Sequence, residues 1–561
     1  MSVRPRRRRR EPTDWPRAVL VSVVAAGLAA LLALGSLAGT GNGRMRAVAQ
    51  SASLLPSASL SARRATVWNC PGPLNLSAGS ASVAVANPSR HAARVLVQVA
   101  ETALVPGLLV DHRLGLETSQ EVVPAGSELE IPLAAGALPP RLRQAARSAR
   151  SKGSAPKRAK GPRRPLVVYG AVSLTVSGAS VGVSETALQA KSVETSACAL
   201  GAATRGYTAS GTTYDSSTVE LSLFDPSAAP AVVNLSLGTA AGLSMPQALQ
   251  GLVVPPQSLE VIDLARYVPQ AVRLAVAADA TVGRVVIGSL TEVSARFATT
   301  LLGRKHAYDE TGSELAVGLG RPLRSFVAPL GPNTSRFSES VGLFNPGTKP
   351  AQVLVQADEQ GRRSRLSVLV PAGEVTSVPL PDLLPGPGSP RKASKLSPQA
   401  APSVAPILPA GTGGVVRVTS ENGIGVVADH ETVVSTSPGR LLLMASALSA
   451  RPSRCWLLAG GASSHALSFE VTITDLSSKP EQAALDLLRT GSQGPPSLIE
   501  SLSLEPGTAR GLDLARVPAT STLGPFALLV KADGPVVVTG ALARSVKAAL
   551  PSVESAIPAG R

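Results

Sequence analysis

Three cysteines, five histidines and 3% aromatic residues in a chain of 561 set the first limits on this protein. Three cysteines cannot frame a disulfide-built mini-domain, and no C-x-x-C is present to suggest a zinc ribbon or a redox pair. The histidines never fall at the i, i+2 or i, i+4 spacings that zinc sites use, and H-E-x-x-H and Walker loops are missing. Scarce aromatics leave few stacking platforms for nucleic acid. The acids are spread thinly, so no pair of carboxylates stands out for glycoside hydrolysis. The residue types therefore imply no catalytic, cofactor-binding or metal site.

Positive charge is plentiful, at +17, but it is missing where a nucleic-acid footprint would need it. Residues 1–17 carry +5 and residues 139–165 carry +10. Arg44, Arg46, Arg63 and Arg64 add +4, and Arg391, Lys392 and Lys395 add +3, leaving −5 for all segments with a foldable pattern. A nucleic-acid binder carries its basic stripe on a folded face. Binding to nucleic acid or to a small-molecule cofactor is not expected.

The basic block Arg4, Arg6 to Arg10 precedes Trp15 and then 22 uncharged residues, Ala18 to Gly39. That run is long enough to cross a bilayer as a helix, and the flanking arginines hold its N-terminal end in the cytoplasm. The chain is expected to be a single-pass cell-membrane protein with an extracytoplasmic bulk. The alternative is secretion after cleavage at Ala47-Val48-Ala49. In an exported protein Cys70 and Cys198, which flank one segment, can pair across it. Pairing of Cys198 with Cys455 stays open, since sequence alone does not set connectivity.

One pattern occurs four times. Asn87-Pro88-Ser89, Asp225-Pro226-Ser227, Asn345-Pro346-Gly347 and Asp475-Leu476-Ser477 each separate two short alternating apolar runs. Pro124-Ala125-Gly126-Ser127 follows the first, echoed by Pro255-Pro256-Gln257-Ser258, Pro371-Ala372-Gly373-Glu374 and Glu505-Pro506-Gly507-Thr508. A self-similar period of this kind decides architecture. Phe469, Val471 and Ile473 alternate with polar residues, as a half-buried strand requires. The expected fold is all-β, four tandem immunoglobulin-like β-sandwich repeats behind one N-terminal transmembrane helix.

The boundaries follow from composition. Residues 1–17 are a cytoplasmic tail, 18–39 the membrane helix and 40–65 a flexible stalk. The repeats span 66–199, 200–300, 322–447 and 452–547, with a linker at 301–321 and a tail at 548–561. Residues 139–165 and 386–412 lack apolar pattern and are expected to be disordered insertions. Without them the repeats measure 107, 101, 99 and 96 residues. Trp68, Tyr207, Phe326 and Trp456 open the repeats as core anchors. Asn422-Gly423 and Asp533-Gly534 are hairpin signals between the last two strands of their repeats.

Three local features invite chemistry. Gly178-Ala179-Ser180-Val181-Gly182 matches G-x-S-x-G, but alternating runs on both sides predict a hairpin turn where a hydrolase needs a strand-to-helix elbow. Asp429-His430-Glu431 puts His430 on the opposite strand face from its neighbours and is expected at a solvated strand end. Cys455, beside Trp456, is expected to be buried and inert.

The basic N-terminus, the single apolar segment, the Trp68-x-Cys70-Pro71 opening and the Asn/Asp-Pro-Ser turns together resemble an uncharacterised family of membrane-anchored or secreted actinobacterial proteins, a domain of unknown function. The resemblance implies an envelope location and supplies no activity. The expected role is a non-enzymatic cell-envelope scaffold or contact module for wall polymers or envelope proteins. The alternative is a secreted carbohydrate-active or other hydrolytic enzyme with a site between repeats.

Overall fold

The computed structural model describes residues 65–76, 81–104, 112–134, 167–188, 193–301, 304–330, 337–359, 362–380, 412–437, 440–447, 452–462, 467–514, 517, 519–520, 524–544, 551–555 and 557–558. The expected cytoplasmic tail, membrane helix and stalk lie outside these residues. So do the insertion at 139–165 and, except for Thr412, the one at 386–412. Among the described residues no helix is long and apolar enough to cross a membrane. The protein is all-β, with antiparallel sheets interrupted by short 3-10 turns such as Leu264–Arg266.

Alternation builds the strands. Phe469, Val471 and Ile473 are fully buried while Glu470 between them is exposed. Strands of this kind must cover their apolar face with another layer. In residues 66–200 a five-stranded sheet runs in the order His112–Val123, Ala93–Leu104, Val167–Ser177, Thr66–Asn75, Ala199–Leu200. A four-stranded sheet runs Ser127–Leu133, Ala81–Asn87, Gly182–Leu188, Val193–Ala197. Between them lies one apolar core with Trp68, Val85, Val97 and Leu174. Cys70 and Cys198 are joined in a disulfide with Cα atoms 4.5 Å apart.

The same order of pairing recurs along the chain. Leu252–Val254, Ala231–Thr239, Ala275–Val282 and Arg205–Thr208 make one sheet, facing Ser258–Asp263, Thr218–Asp225, Val286–Leu301 and Arg304–Val317. Arg362–Val370, Ala351–Glu359, Thr412–Ser420 and Ser325–Leu330 face Val375–Pro379, Phe337–Phe344, Val427–Ser437 and Arg440–Ala447. Near the C-terminal end, Ser497–Leu504, Glu481–Arg489 and Ser453–Ala462 gather around the start of Pro525–Arg544. Ala509–Asp513, Leu467–Asp475 and Pro551–Ser555 gather around its end. Each sheet pair has a core built mainly from its own strands, with a few side chains such as Tyr207, Ala275 and Val193 crossing into a neighbour's.

The final strands of the sheet pairs converge. Arg304–Val317 pairs in parallel with Arg440–Ala447, fusing two four-stranded sheets into one of eight. Val193–Ala197 packs beside Arg304–Val317 and Pro551–Ser555, and Arg440–Ala447 packs beside both of those as well. The expected linker at 301–321 therefore holds a long strand, and the expected tail at 548–561 holds another. An edge strand that finds its partner in a distant segment carries little local signal in the sequence.

The hairpin expectations are also corrected. Val167–Ser177 lies in the five-stranded sheet and Gly182–Leu188 in the facing one, so residues 178–181 arch from sheet to sheet. Asn422-Gly423 does the same. Across Asp533-Gly534 the strand never breaks: Phe526 to Ala532 pair with Glu481–Arg489, and Val536 to Arg544 pair with Leu467–Asp475. Asn-Gly and Asp-Gly permit a tight change of direction, but the partners available on either side decide whether a hairpin forms. Of the expected anchors, Trp68, Phe326 and Trp456 fill the cores of their own segments, whereas Tyr207 joins the core of residues 326–428.

The recurring Asn/Asp turns are buried staples. Asn87 Oδ1 accepts from Ser89 N at 3.1 Å, and its Nδ2 donates to the carbonyls of His91, Val123 and Pro124 at 2.8, 3.1 and 3.0 Å. Asn345 repeats this with Gly347 N, Lys349 O and Val370 O. Asp225 accepts from Ser227 N at 2.8 Å and from Ser227 Oγ at 2.6 Å but has nothing to donate to the carbonyls around it; burial raises its pKa, opposed by hydrogen bonds from Ser227 and the Ala231 N–H. Asp225→Asn is therefore expected to stabilise the protein by about 1 kcal/mol at neutral pH. Urea unfolding of the two proteins checks this, and a variant less stable than wild type would contradict it.

The second recurring motif turns on a left-handed residue. Gly126, Gly373 and Gly507 have φ of +67°, +76° and +70°, and Gln257 takes the same place at +50°. A side chain is tolerated there only with strain.

Candidate functional site

Alternation in the strand Val427–Ser437 divides Asp429-His430-Glu431 between two faces, as expected. The expected solvated strand end is wrong, however: the three are 6%, 7% and 4% exposed. Their strand lies inside the eight-stranded sheet, between Phe337–Phe344 and Arg440–Ala447. His430 Nε2 lies 3.4 Å from Glu339 Oε1. On the other face, Asp429 Oδ2 accepts the Ala209 N–H at 3.1 Å, and Glu431 is paired with the Arg273 guanidinium. Ser340 Oγ donates to Glu431 at 3.1 Å and accepts from Arg273 at 3.4 Å.

Two further buried acids join this junction. Glu314, on Arg304–Val317, accepts the Ser210 hydroxyl at 2.7 Å. Glu194, on Val193–Ala197, accepts the Ser313 hydroxyl. Burial raises the Glu314 carboxyl to about 8; Asp429 and Glu194 push the same way, and Ser210 and Arg273 oppose. Burial likewise raises Asp429 to about 6, against hydrogen bonds from Ser210 and Ala209 and the charge of Arg273. Near neutral pH Glu314 is a neutral acid, which is how a low-dielectric site tolerates neighbouring carboxyls. Chemically the arrangement is a set of hydrogen-bonded latches between sheet pairs.

Glu185 is buried separately, in the first core. Its strand register sets it opposite Val83, on the inward face, and Gly72 N donates to its Oε2 at 3.0 Å. Burial raises its carboxyl to about 8, opposed by that one hydrogen bond. Among the described residues, the group of potential metal ligands found together is Cys70, Glu185 and Cys198. With its two sulfurs joined in the disulfide, it is not a metal-binding set as it stands.

Sequence reading missed Glu185, Glu194 and Glu314. For Glu185 a signal was present: it continues the inward series Val181, Val183 at the same two-residue spacing. Ser180 is 7% exposed and leads into a strand, so its hydroxyl is not displayed as a nucleophile elbow would display it. Cys455 remains a thiol and is only half-buried, less covered than expected, beside Leu457 and Ala459.

Residues 170–404 match the family of unknown function DUF5719. This bears out the resemblance to an uncharacterised family; the match begins within the strand Val167–Ser177 and covers less than half the chain. A search of curated proteins finds no match. Among solved structures the protein is similar to one described as the crystal structure of Thermotoga maritima 1070, at 13% identity and a TM-score of 0.18. That match covers 19% of this chain and 95% of the other.

Proposed function

We propose that this is a non-enzymatic cell-envelope protein: four tandem immunoglobulin-like sandwich modules, anchored by the apolar segment at residues 18–39 and acting outside the membrane as a scaffold that holds wall polymer. The recurring pairing order, and cores built mainly from the strands of one sheet pair each, support the modular part of this reading. The basic block and uncharged run of the sequence support the anchor.

The observation that carries the contact role is the outer edge of each sheet pair. His112–Val123, Leu252–Val254, Arg362–Val370 and Ser497–Leu504 are terminal strands of their sheets. Each carries an aliphatic side chain open to solvent: Val122 at 60%, Val253 at 60%, Leu369 at 62% and Leu498 at 62%. Unpaired edges with exposed apolar side chains are where extended partners add to a sheet or lie along it. The acids that could do chemistry are by contrast sealed inside.

The test is co-sedimentation of the full chain with isolated cell-wall sacculi. Combining Val122→Asp, Val253→Asp, Leu369→Asp and Leu498→Asp is expected to weaken binding roughly tenfold or more without altering the circular dichroism spectrum. Undiminished binding would remove the edges from the reading. Release of reducing sugar from the sacculi, or labelling of Ser180 by a fluorophosphonate, would overturn the non-enzymatic assignment.

A further inference from the structure

Glu185 occupies a position that ordinary packing would give to an aliphatic residue, among Val83, Val85 and Val183. One of its carboxyl oxygens and the two sulfurs of Cys70 and Cys198 all lie within 4.8 Å of one another. All three residues are fully buried. Oε2 is held by Gly72 N–H, while Oε1 has no hydrogen-bond partner.

The surroundings isolate this trio. The strand Thr66–Asn75 brings Cys70 and Gly72, and Ala81–Asn87 brings Val83. Val193–Ala197 sets Ser196 opposite Glu185 and Glu194 opposite Ala187, two positions along the same face. Among the described residues, the titratable groups facing this core are the two cysteines, Glu194, which is engaged with Ser313, and Glu101, whose register opposite Gly170 sets it on the inward face of the five-stranded sheet. Cys198 sits where the chain crosses from Val193–Ala197 in one sheet to Ala199–Leu200 in the other. Cys198 N–H donates to Val183 O at 3.0 Å on one side of the crossing, and Ala199–Leu200 pairs with Trp68 and Asn69 on the other.

We propose that Glu185 is the proton acceptor for closing the Cys70–Cys198 disulfide. With both cysteines reduced, the Glu185 carboxylate takes the proton of one thiol. The thiolate attacks a disulfide oxidant, R–S–S–R; a new S–S bond forms and R–S⁻ leaves with the electron pair of the broken bond. Glu185 returns its proton to that leaving thiolate, then takes the proton of the second cysteine. The second thiolate attacks the protein sulfur of the mixed disulfide and expels the other R–S⁻, which is protonated in the same way. The two cysteines are oxidised, and the oxidant is reduced to two R–SH.

A thiolate is the reactive species in each attack, and an apolar core suppresses its formation unless a base stands beside it. The carboxyl, raised to about 8 by burial, is nearly matched to a thiol, so the proton moves between them at little cost.

The test follows oxidation of the reduced full chain by glutathione disulfide, in a Cys455→Ser background, by acid quench and mass spectrometry from about pH 5 to 9. Glu185→Gln is expected to slow closure roughly tenfold or more near pH 8, where about half of the carboxyl is ionised and able to take a proton, and to leave a rate that climbs only with thiol ionisation. Glu185→Asp should recover part of the rate, and Glu194→Gln should track wild type. A Glu185→Gln protein with the wild-type pH–rate profile, whatever its stability, would make the carboxyl a packing group only. If that variant does not fold, the wild-type profile decides: a rate that levels off above about pH 8 is expected, and one that stays proportional to hydroxide up to about pH 9 overturns the proposal.

Discussion

Cys70→Ala with Cys198→Ala is expected to destabilise the sheet pair of residues 66–200 by about 4–5 kcal/mol. The disulfide closes a sequence separation of 128 residues. In the chain-entropy account, a loop of that size restricts the unfolded chain by about that amount. The bridge also spans the two layers, since Cys70 lies in the five-stranded sheet and Cys198 leaves the four-stranded one. The core around it holds Trp68, Leu174 and Val83, so its loss should be felt by the whole pair. Urea unfolding followed by hydrogen exchange of peptides from residues 66–200 reads the effect locally. A loss below about 1 kcal/mol would mean that contacts with the neighbouring sheet pairs, not the cross-link, hold this part together.

Alkali is the condition expected to weaken the protein most. Glu185 and Glu314 are raised to about 8 and Asp429 to about 6, in each case chiefly by burial. The folded state therefore holds protons that the unfolded chain gives up near pH 4. Their stabilising contribution is complete below that pH and is lost progressively as pH rises to about 8 and beyond, where folding must bury charged carboxylates. Thermal unfolding should thus occur at a higher temperature near pH 5 than near pH 9, and Glu314→Gln should flatten the difference by gaining stability at the alkaline end. A stability maximum near pH 8 in both wild type and Glu314→Gln would show that these acids are ionised in the folded protein.

Strand positions were legible because alternation is local: Phe469, Val471 and Ile473 announce an inward face by spacing alone. The staples were legible too, since Asn87 and Asn345 act through carbonyls their own turns bring close. What sequence could not convey was the choice of partner. Asn422-Gly423 and Asp533-Gly534 look like hairpins to any local rule, yet the strands beyond them find better-placed neighbours in the facing sheet. Arg304–Val317 and Pro551–Ser555 read as linker and tail for the same reason. Of the site, Asp429-His430-Glu431 reads as exposed in sequence, because charge argues for solvent until Ala209 and Arg273 arrive from another segment to meet it. Glu185 obeys the period-two rule, but an acid in an inward register is rare and the spacing alone does not announce it.

Glu128 is fully buried, and it accepts the N–H of Gly460, a residue 332 positions later in the chain. Ala84 and Ala86 likewise pack against Leu457, Leu488 and Leu529. Any delivery that releases the N-terminal end first leaves these surfaces without their cover until most of the polypeptide has followed. The earliest sheet pair must wait, with part of an apolar face and a buried-to-be carboxylate in water, for the last one to be made. The sheet pairs thus cannot mature one at a time, and the most vulnerable interval is the delay between residue 200, where the first pair is complete, and residue 529, where its cover is.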